Sequence, residues 1–470
     1  MSEGLHLKSA RELARLFASR AVSALEIVEA HLKQIERVNP VVNAIVTLVP
    51  DAARDEARAL DARLARGEEP GPLAGLPIGI KDLVATRGIR TTSGTISRKD
   101  NVPEHDDILV EHLREAGAIV IGKTNTPEFG AGSQTFNELF GATRNPYAPD
   151  YTCGGSSGGA ATALAARMVP IADGSDHGGS LRNPAAFCNV VGLRPSPGLV
   201  SHGPVPNAYY PLTVHGPMAR SVDDLALMLS AMVGFDDRDP LSIVADPEPF
   251  RAPLIAEFRG TRVAWVDIPG MRFDRRVRAV VDAHRSTFED IGCVVEQATL
   301  DMSEANEVFQ TLRAYYYAST LGSLVREPGS RIKETLVRNT EQGLRLNAED
   351  IGRADLARTR LYERVRRFMQ TYAYFVLPTT QVPPFPVDQE YVTEIEGAKM
   401  TTYIDWMSSC HYITVPGNPA ISVPAGFTEA GLPVGLQIVG RHRQDLSVLR
   451  LARAFEQRTR FAERVPECAL

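Results

Sequence analysis

The sequence predicts an α/β fold, and three observations carry that prediction. After Leu73 the chain turns from helical periodicity to short apolar runs broken by glycine and proline, and 77–80 and 118–121 have the length and composition of buried strands. Between these two runs, 108–116 reads as a helix stopped by Gly117, so strand and helix alternate. Strand-like runs then return late in the chain, at 263–266, 375–378, 420–424 and 435–439.

Taken in order, 8–38 reads as two amphipathic helices. Leu13, Leu16 and Phe17 share the face of the first; Leu25, Ile27, Val28, Leu32 and Ile35 share that of the second, which Pro40 is expected to close. A charged, alanine-rich helix follows at 51–67, and 67–72 is a loop. Residues 158–166 are small and alanine-rich, as suits a helix packed tightly in the core and starting just after Ser156 and Ser157. One helix is expected at 274–290, a mostly helical region at 303–372 and a closing helix at 446–459. No repeat, low-complexity tract or linker divides the chain. We therefore expect a single domain over 1–470, with N-terminal helices (1–70), a core (71–235), a variable helical region (300–372) and C-terminal strands and helix (373–470).

Composition narrows the function. Fifty-one basic residues against fifty-seven acidic ones give a net charge of −6, and no basic run is interleaved with aromatics, which argues against nucleic acid or an anionic membrane surface as a partner. No apolar run is long enough to span a membrane, and the first residues lack the layout of a signal peptide. Cys153, Cys188, Cys293, Cys410 and Cys468 are scattered and odd in number, which suits a reducing compartment, so a cytoplasmic location is expected. Glu104-His105-Asp106-Asp107 fits no metal-ligand spacing and is expected to be a solvated loop; no metal and no cofactor are expected.

Two segments carry chemistry. Lys81 ends the apolar run that begins at Leu76, and burial there would favour the neutral amine, the only form of lysine that can act as a base. Downstream lie Gly154-Gly155-Ser156-Ser157-Gly158-Gly159 and Asp176-His177-Gly178-Gly179-Ser180-Leu181-Arg182. Glycines let successive amides turn toward one point, where they can hold an oxyanion. The first segment lacks the G-K-[ST] ending of a phosphate loop. It does contain a literal G-x-S-x-G centred on Ser156, but the nucleophile elbow of an α/β-hydrolase needs a strand immediately before the serine, and 146–153 reads as a loop.

In combination these segments resemble the amidase signature family of Ser-cisSer-Lys hydrolases. The resemblance runs over most of the chain: Gly75-Leu76-Pro77-Ile78-Gly79-Ile80-Lys81-Asp82, Thr124-Asn125-Thr126-Pro127-Glu128-Phe129, Gly141-Ala142-Thr143-Arg144-Asn145-Pro146, the two serine-glycine segments, and Pro419-Ala420-Ile421-Ser422-Val423-Pro424 through Gln437. It implies a large central mixed, twisted sheet covered on both sides by helices. It also implies Ser180 as nucleophile, Ser156 as a bridging serine on a cis peptide, Lys81 as general base, and the amides of His177, Gly178, Gly179 and Ser180 as the oxyanion hole. Ser157, Asp176 and Arg182 match supporting positions. Many family members have a small or uncharged residue where this chain has His177, whose ring is expected to pack rather than to react.

The implied reaction is hydrolysis of a carboxylic amide to an acid and an amine through an acyl-serine, with esters and carbamates open to the same attack. Tyr315, Tyr316, Tyr317, Phe136 and Phe140 suggest an aromatic lining and a small aryl or alkyl amide as substrate, with the region 300–372 shaping the pocket. The partners implied are that small molecule and, as a possible assembly, a homodimer; no nucleic acid and no membrane are implied. The alternative is the glutaminase subunit of a tRNA-dependent amidotransferase, which also resembles this family and works only with a partner. That subunit places an acidic residue shortly before its C-terminal G-x-P segment, and Asp405 here is offset by about two positions.

Overall fold

The structure is a computed structural model that describes residues 4–470. Its centre is one sheet of eleven strands: β1 (Ile45–Leu48), β2 (Pro77–Lys81), β3 (Ile119–Thr124), β4 (Ile171–Asp176), β5 (Val191–Arg194), β6 (Val214–Ala219), β7 (Arg262–Asp267), β8 (Val294–Thr299), β9 (Tyr374–Pro378), β10 (Ala420–Phe427) and β11 (Pro433–Gly440). They lie in the order β1-β3-β2-β4-β6-β5-β10-β11-β9-β7-β8. The sheet is mixed. β2 runs parallel to β3 and β4, β7 runs parallel to β8 and β9, and the strands between are antiparallel.

Both faces of the sheet are covered, and the strand sequences show it. Val263, Trp265, Tyr374, Val376, Ile421 and Ile438 join one apolar cluster, whereas their neighbours Ala264, Val266, Phe375, Leu377, Ala420 and Val439 join a second one on the opposite face. Side chains alternate across a strand, so a run that is apolar at every position needs a core on each side.

Five strands of this sheet escape the sequence reading: β1, β4, β5, β6 and β8. β4 is the consequential one. It reads Ile-Ala-Asp-Gly-Ser-Asp, too polar for a strand by composition, yet all six residues are buried and hydrogen-bonded between β2 and β6. Its parallel register on β2 pairs Gly79 with Ala172, which brings the ends of both strands to the same edge.

Three helix boundaries also differ. The second N-terminal helix, Ala24–Val42, runs past Pro40, because a proline in the last turn removes a single donor. It stops at Asn43, whose φ of 51° lies in the left-handed region. The helix expected at 274–290 is two, Arg275–Asp282 and Arg285–Ile291; in the break, His284 Nε2 lies 2.6 Å from the Ala425 carbonyl of β10. The 303–372 region resolves into Ala305–Arg326, Glu334–Leu344 and Ala348–Thr371. Nor is Glu104 to Asp107 simply a solvated loop. Asp107 caps the helix Ile108–Glu115 through the Leu109 amide (3.0 Å), and Asp106 accepts from the Arg87 amide (2.7 Å).

The helix Gly158–Ala165 is buried at every position and sits directly on the strand ends. A Cβ on Gly159 would stand 2.3 Å from the Asn125 nitrogen and 2.8 Å from the Ala44 oxygen, both main-chain atoms that cannot rotate away. Gly159→Ala is expected to destabilise the fold by about 1–3 kcal/mol, measured as an earlier midpoint in urea unfolding.

Candidate active site

Lys81 is the last residue of β2 and is wholly buried. Its main-chain N–H donates to Asp173 Oδ1 at 2.6 Å, which fixes the strand end. Its Nζ meets three hydroxyls and no carboxylate: Ser156 Oγ at 2.8 Å, Ser157 Oγ at 2.8 Å and Ser175 Oγ at 3.1 Å. Burial pulls the amine down to about 7, against the opposing charges of Asp173 and Asp176. Asp173 is itself pushed up by burial, to about 6.

The role of the Ser157 hydroxyl follows by elimination. Ser157 donates to the Ser175 carbonyl (3.3 Å) and accepts from the Ser175 amide (3.3 Å), so toward Lys81 it can only accept. A neutral amine has two hydrogens and one lone pair. The lone pair must then face Ser156 or Ser175, and neither of these hydroxyls has another hydrogen-bond partner among the described residues.

Ser156 lies on an irregular segment that leads into the helix Gly158–Ala165, and the Gly155–Ser156 peptide is cis. No strand precedes it, so the strand–turn–helix context of a G-x-S-x-G elbow is absent. Ser180 follows β4 on a tight loop. It keeps 8% of its surface exposed against 2% for Ser156 and none for Lys81, so among the three it is the one a substrate can reach. Ser180 Oγ makes no hydrogen bond to Ser156 Oγ; the two segments are tied instead by the Ser157 amide donating to the Ser180 carbonyl (3.2 Å).

The Ser180 loop is held from beneath by Asp176. Its carboxylate accepts from the Gly179 amide (2.9 Å), the Leu181 amide (3.2 Å) and the Arg182 guanidinium (3.0 Å twice), and Arg194 stands 3.2 Å away. Burial alone would raise the Asp176 carboxyl; the charges of Arg182 and Arg194 and the hydrogen bonds reverse that and hold it well below the usual range. Arg182 is anchored in turn by the Cys410 carbonyl (3.0 Å), Thr414 Oγ1 (3.0 Å) and Gln437 Oε1 (2.6 Å). Gly179 has a φ of 125°, and a Cβ there would lie 2.5 Å from Cys410 Cβ, so only glycine fits.

The four amides expected to form the oxyanion hole differ in what they bond. The Gly179 amide is taken by Asp176, whereas the amides of His177, Gly178 and Ser180 have no hydrogen-bond partner among the described residues. The His177 ring packs. Its Nε2 lies 2.7 Å from the Tyr210 hydroxyl, and Phe309, Tyr316 and Tyr317 pack edge-on around it. Burial holds its pKa at about 3, so it stays neutral at any ordinary working pH.

Comparison with known proteins now decides the family. A family model described as Amidase matches residues 26–449. The chain belongs to the amidase family. It is 38% identical to an acylamidase of Rhodococcus erythropolis, over 100% of this chain and 99% of that one. It is 35% identical to a glutamyl-tRNA(Gln) amidotransferase subunit from Moorella thermoacetica, over 98% and 99%. Among solved structures, a bacterial aryl acylamidase of the amidase signature enzymes superposes with a TM-score of 0.92 at 30% identity, covering 98% of this chain and 99% of that one. The chain is thus an amide-hydrolysing enzyme with the mixed, helix-covered sheet of this family. Among the described residues, no helix is long and apolar enough to cross a membrane.

Of the aromatic residues singled out in the sequence, Tyr316 and Tyr317 reach the His177 loop. Tyr315 points outward, Phe136 lies under Lys333 Nζ at 4.3 Å, and Phe140 lies under Arg90 at 5.4 Å. Asp405 closes its own turn by accepting from the amides of Thr401 (2.7 Å) and Thr402 (2.9 Å) and from both hydroxyls. Sequence reasoning missed Ser175, Asp173 and Arg194. The signal for the first two was the i, i+2 spacing of a strand, which turns both toward Lys81 once β4 is recognised.

Asp176→Asn would leave two buried guanidinium groups without their carboxylate. It is expected to cost about 3–5 kcal/mol of stability, checked by urea unfolding.

Proposed function

We propose that this amidase-family enzyme works as a stand-alone hydrolase of a small aryl or alkyl amide, with Ser180 as nucleophile, Ser156 as proton relay and Lys81 as general base. The observation that carries this reading is the Lys81 amine: sealed from water, paired with no carboxylate, and within hydrogen-bond reach of Ser156. An amine in that setting is a base at neutral pH.

The steps follow from where each proton can go. Lys81 takes the Ser156 proton as Ser156 takes that of Ser180, and Ser180 Oγ attacks the amide carbon. The oxyanion forms against the free amides of His177, Gly178 and Ser180. The C–N bond breaks as the proton returns through Ser156 to the departing nitrogen, leaving Ser180 acylated. Water, deprotonated by the same relay, then attacks the ester and releases the acid. Closure of the Ser156–Ser180 link falls to substrate binding, since such contacts often tighten only in the complex. Esters and carbamates offer a carbonyl to the same nucleophile.

The aromatic residues around His177 support an aryl or alkyl substrate, as do the acylamidase relatives. The glutaminase reading has less support, because Asp405 is used up by Thr401 and Thr402 and leaves no acidic group free at that position. A reducing, cytoplasmic setting suits five cysteines that are all free thiols, four of them buried.

Two measurements test this. A fluorophosphonate probe mapped by mass spectrometry should label Ser180, and labelling of Ser156 would overturn the assignment. Since Lys81 must be neutral, kcat/KM should rise with pH through a midpoint at about 7. Lys81→Ala should remove that limb and lower kcat by about 100- to 10,000-fold.

A further inference from the structure

Arg313 is a buried cation that no carboxylate among the described residues neutralises. It is 4% exposed, and among the described residues it forms no ion pair and a single hydrogen bond, from Nη2 to the Tyr403 hydroxyl. Its guanidinium carbon lies 4.7 Å from the Tyr317 ring centre and 5.2 Å from that of Tyr403. Those ring faces offset part of the charge but accept nothing from the N–H groups at the guanidinium edge. Three of the other buried arginines have partners: Arg182 and Arg194 share Asp176, and Arg220 donates to the carbonyls of Val169 and Lys8. Arg167, like Arg313, has no carboxylate partner among the described residues, but it packs against none of the aromatic residues around the Ser180 loop. Arg313 Nε and Nη1 have no partner, yet neither is sealed from solvent as Arg194 Nε and Nη2 are.

Its place in the fold gives this meaning. Phe309, Arg313 and Tyr317 lie at successive i, i+4 positions on one face of the helix Ala305–Arg326. Phe309 abuts Gly178, where a Cβ would stand 2.8 Å from Phe309 Cζ, and Phe309 and Tyr317 both pack against His177. Arg313 is therefore held between two residues that flank the Ser180 loop. Burial keeps the Tyr403 phenol protonated, so that ring supplies no counter-charge.

We infer that Arg313 is a specificity-determining residue that receives a carboxylate carried by the substrate, away from the scissile amide. A guanidinium offers paired donors at the spacing of a carboxylate's oxygens, and the pair is strong where water is scarce. The preferred substrate is then an amide with an aromatic or alkyl body and an anionic end. This rests on the amidase reading for the site of cleavage, but binding can be tested without turnover.

The test is calorimetry on the Ser180→Ala enzyme with three probes: acetanilide, 4-acetamidobenzoate (carboxylate on the amine side) and succinanilate (carboxylate on the acyl side). At least one carboxylate should bind about 10- to 100-fold tighter than acetanilide, the range for a hydrogen-bonded charged pair. That ratio should collapse toward one in Ser180→Ala/Arg313→Gln and recover in part in Ser180→Ala/Arg313→Lys. Arg313→Met, which fills similar space without buried donors, is a second variant and should give the same collapse. No preference for either carboxylate, or a preference that survives loss of the guanidinium, overturns the inference. An Arg313-dependent preference in an enzyme that hydrolyses none of the three probes would count against the amidase reading and keep this one. Hydrolysis of acetanilide without any such preference would do the reverse.

Discussion

The site depends on keeping water away from one amine. The role proposed for Lys81 needs the uncharged amine, and what favours that form is the cost of burying an ammonium group where three serine hydroxyls are its only polar partners. A carboxylate in direct contact would favour the charged form. Asp173 shows how narrowly this is avoided. It is close enough to hold the Lys81 main chain, yet it bonds the amide N–H and not Nζ. The fully buried helix Gly158–Ala165 serves the same end, since its glycines allow the backbone of the serine segment to lie against the strand ends with no room for solvent.

A second buried charge does the opposite work. Asp176 is kept ionised by two arginines and spends its oxygens on the loop that carries Ser180. The two acidic residues of β4 thus sit three positions apart in contrasting environments, one without a cation at its carboxylate and one with two. Shape and charge are divided between them: Asp173 sets the strand end that carries Lys81, and Asp176 sets the turn that carries Ser180.

How much of this could be read beforehand varied with the kind of signal. Lys81 was legible because an apolar run of strand length ends on it, and the serine segments because glycine density marks backbone that must turn sharply. The late strands were legible for the same reason as Lys81, being apolar at successive positions. β4 was not, because Asp-Gly-Ser-Asp has the composition of a turn, and only hydrogen bonding from strands on both flanks makes it extended. Ser175 and Asp173 were lost along with it. Arg194 and Gln437 were out of reach for another reason: their partners lie 18 and 255 residues away, and nothing local in the chain announces a contact that tertiary packing alone creates. Phe136 and Phe140 each lie under a cation, a contact that local sequence does not announce, since Lys333 and Arg90 are far from them in the chain.

The anchoring of Arg182 also bears on the order in which the protein becomes an enzyme. The lysine, both serines and the turn between them are all encoded before residue 183, yet the guanidinium that braces this turn is gripped by Cys410, Thr414 and Gln437. A growing polypeptide that has finished its first half therefore carries Lys81, Ser156 and Ser180 without the contacts that brace the turn between them. That brace is complete only when the helix carrying Cys410 and Thr414 and the strand carrying Gln437 have docked, late in synthesis.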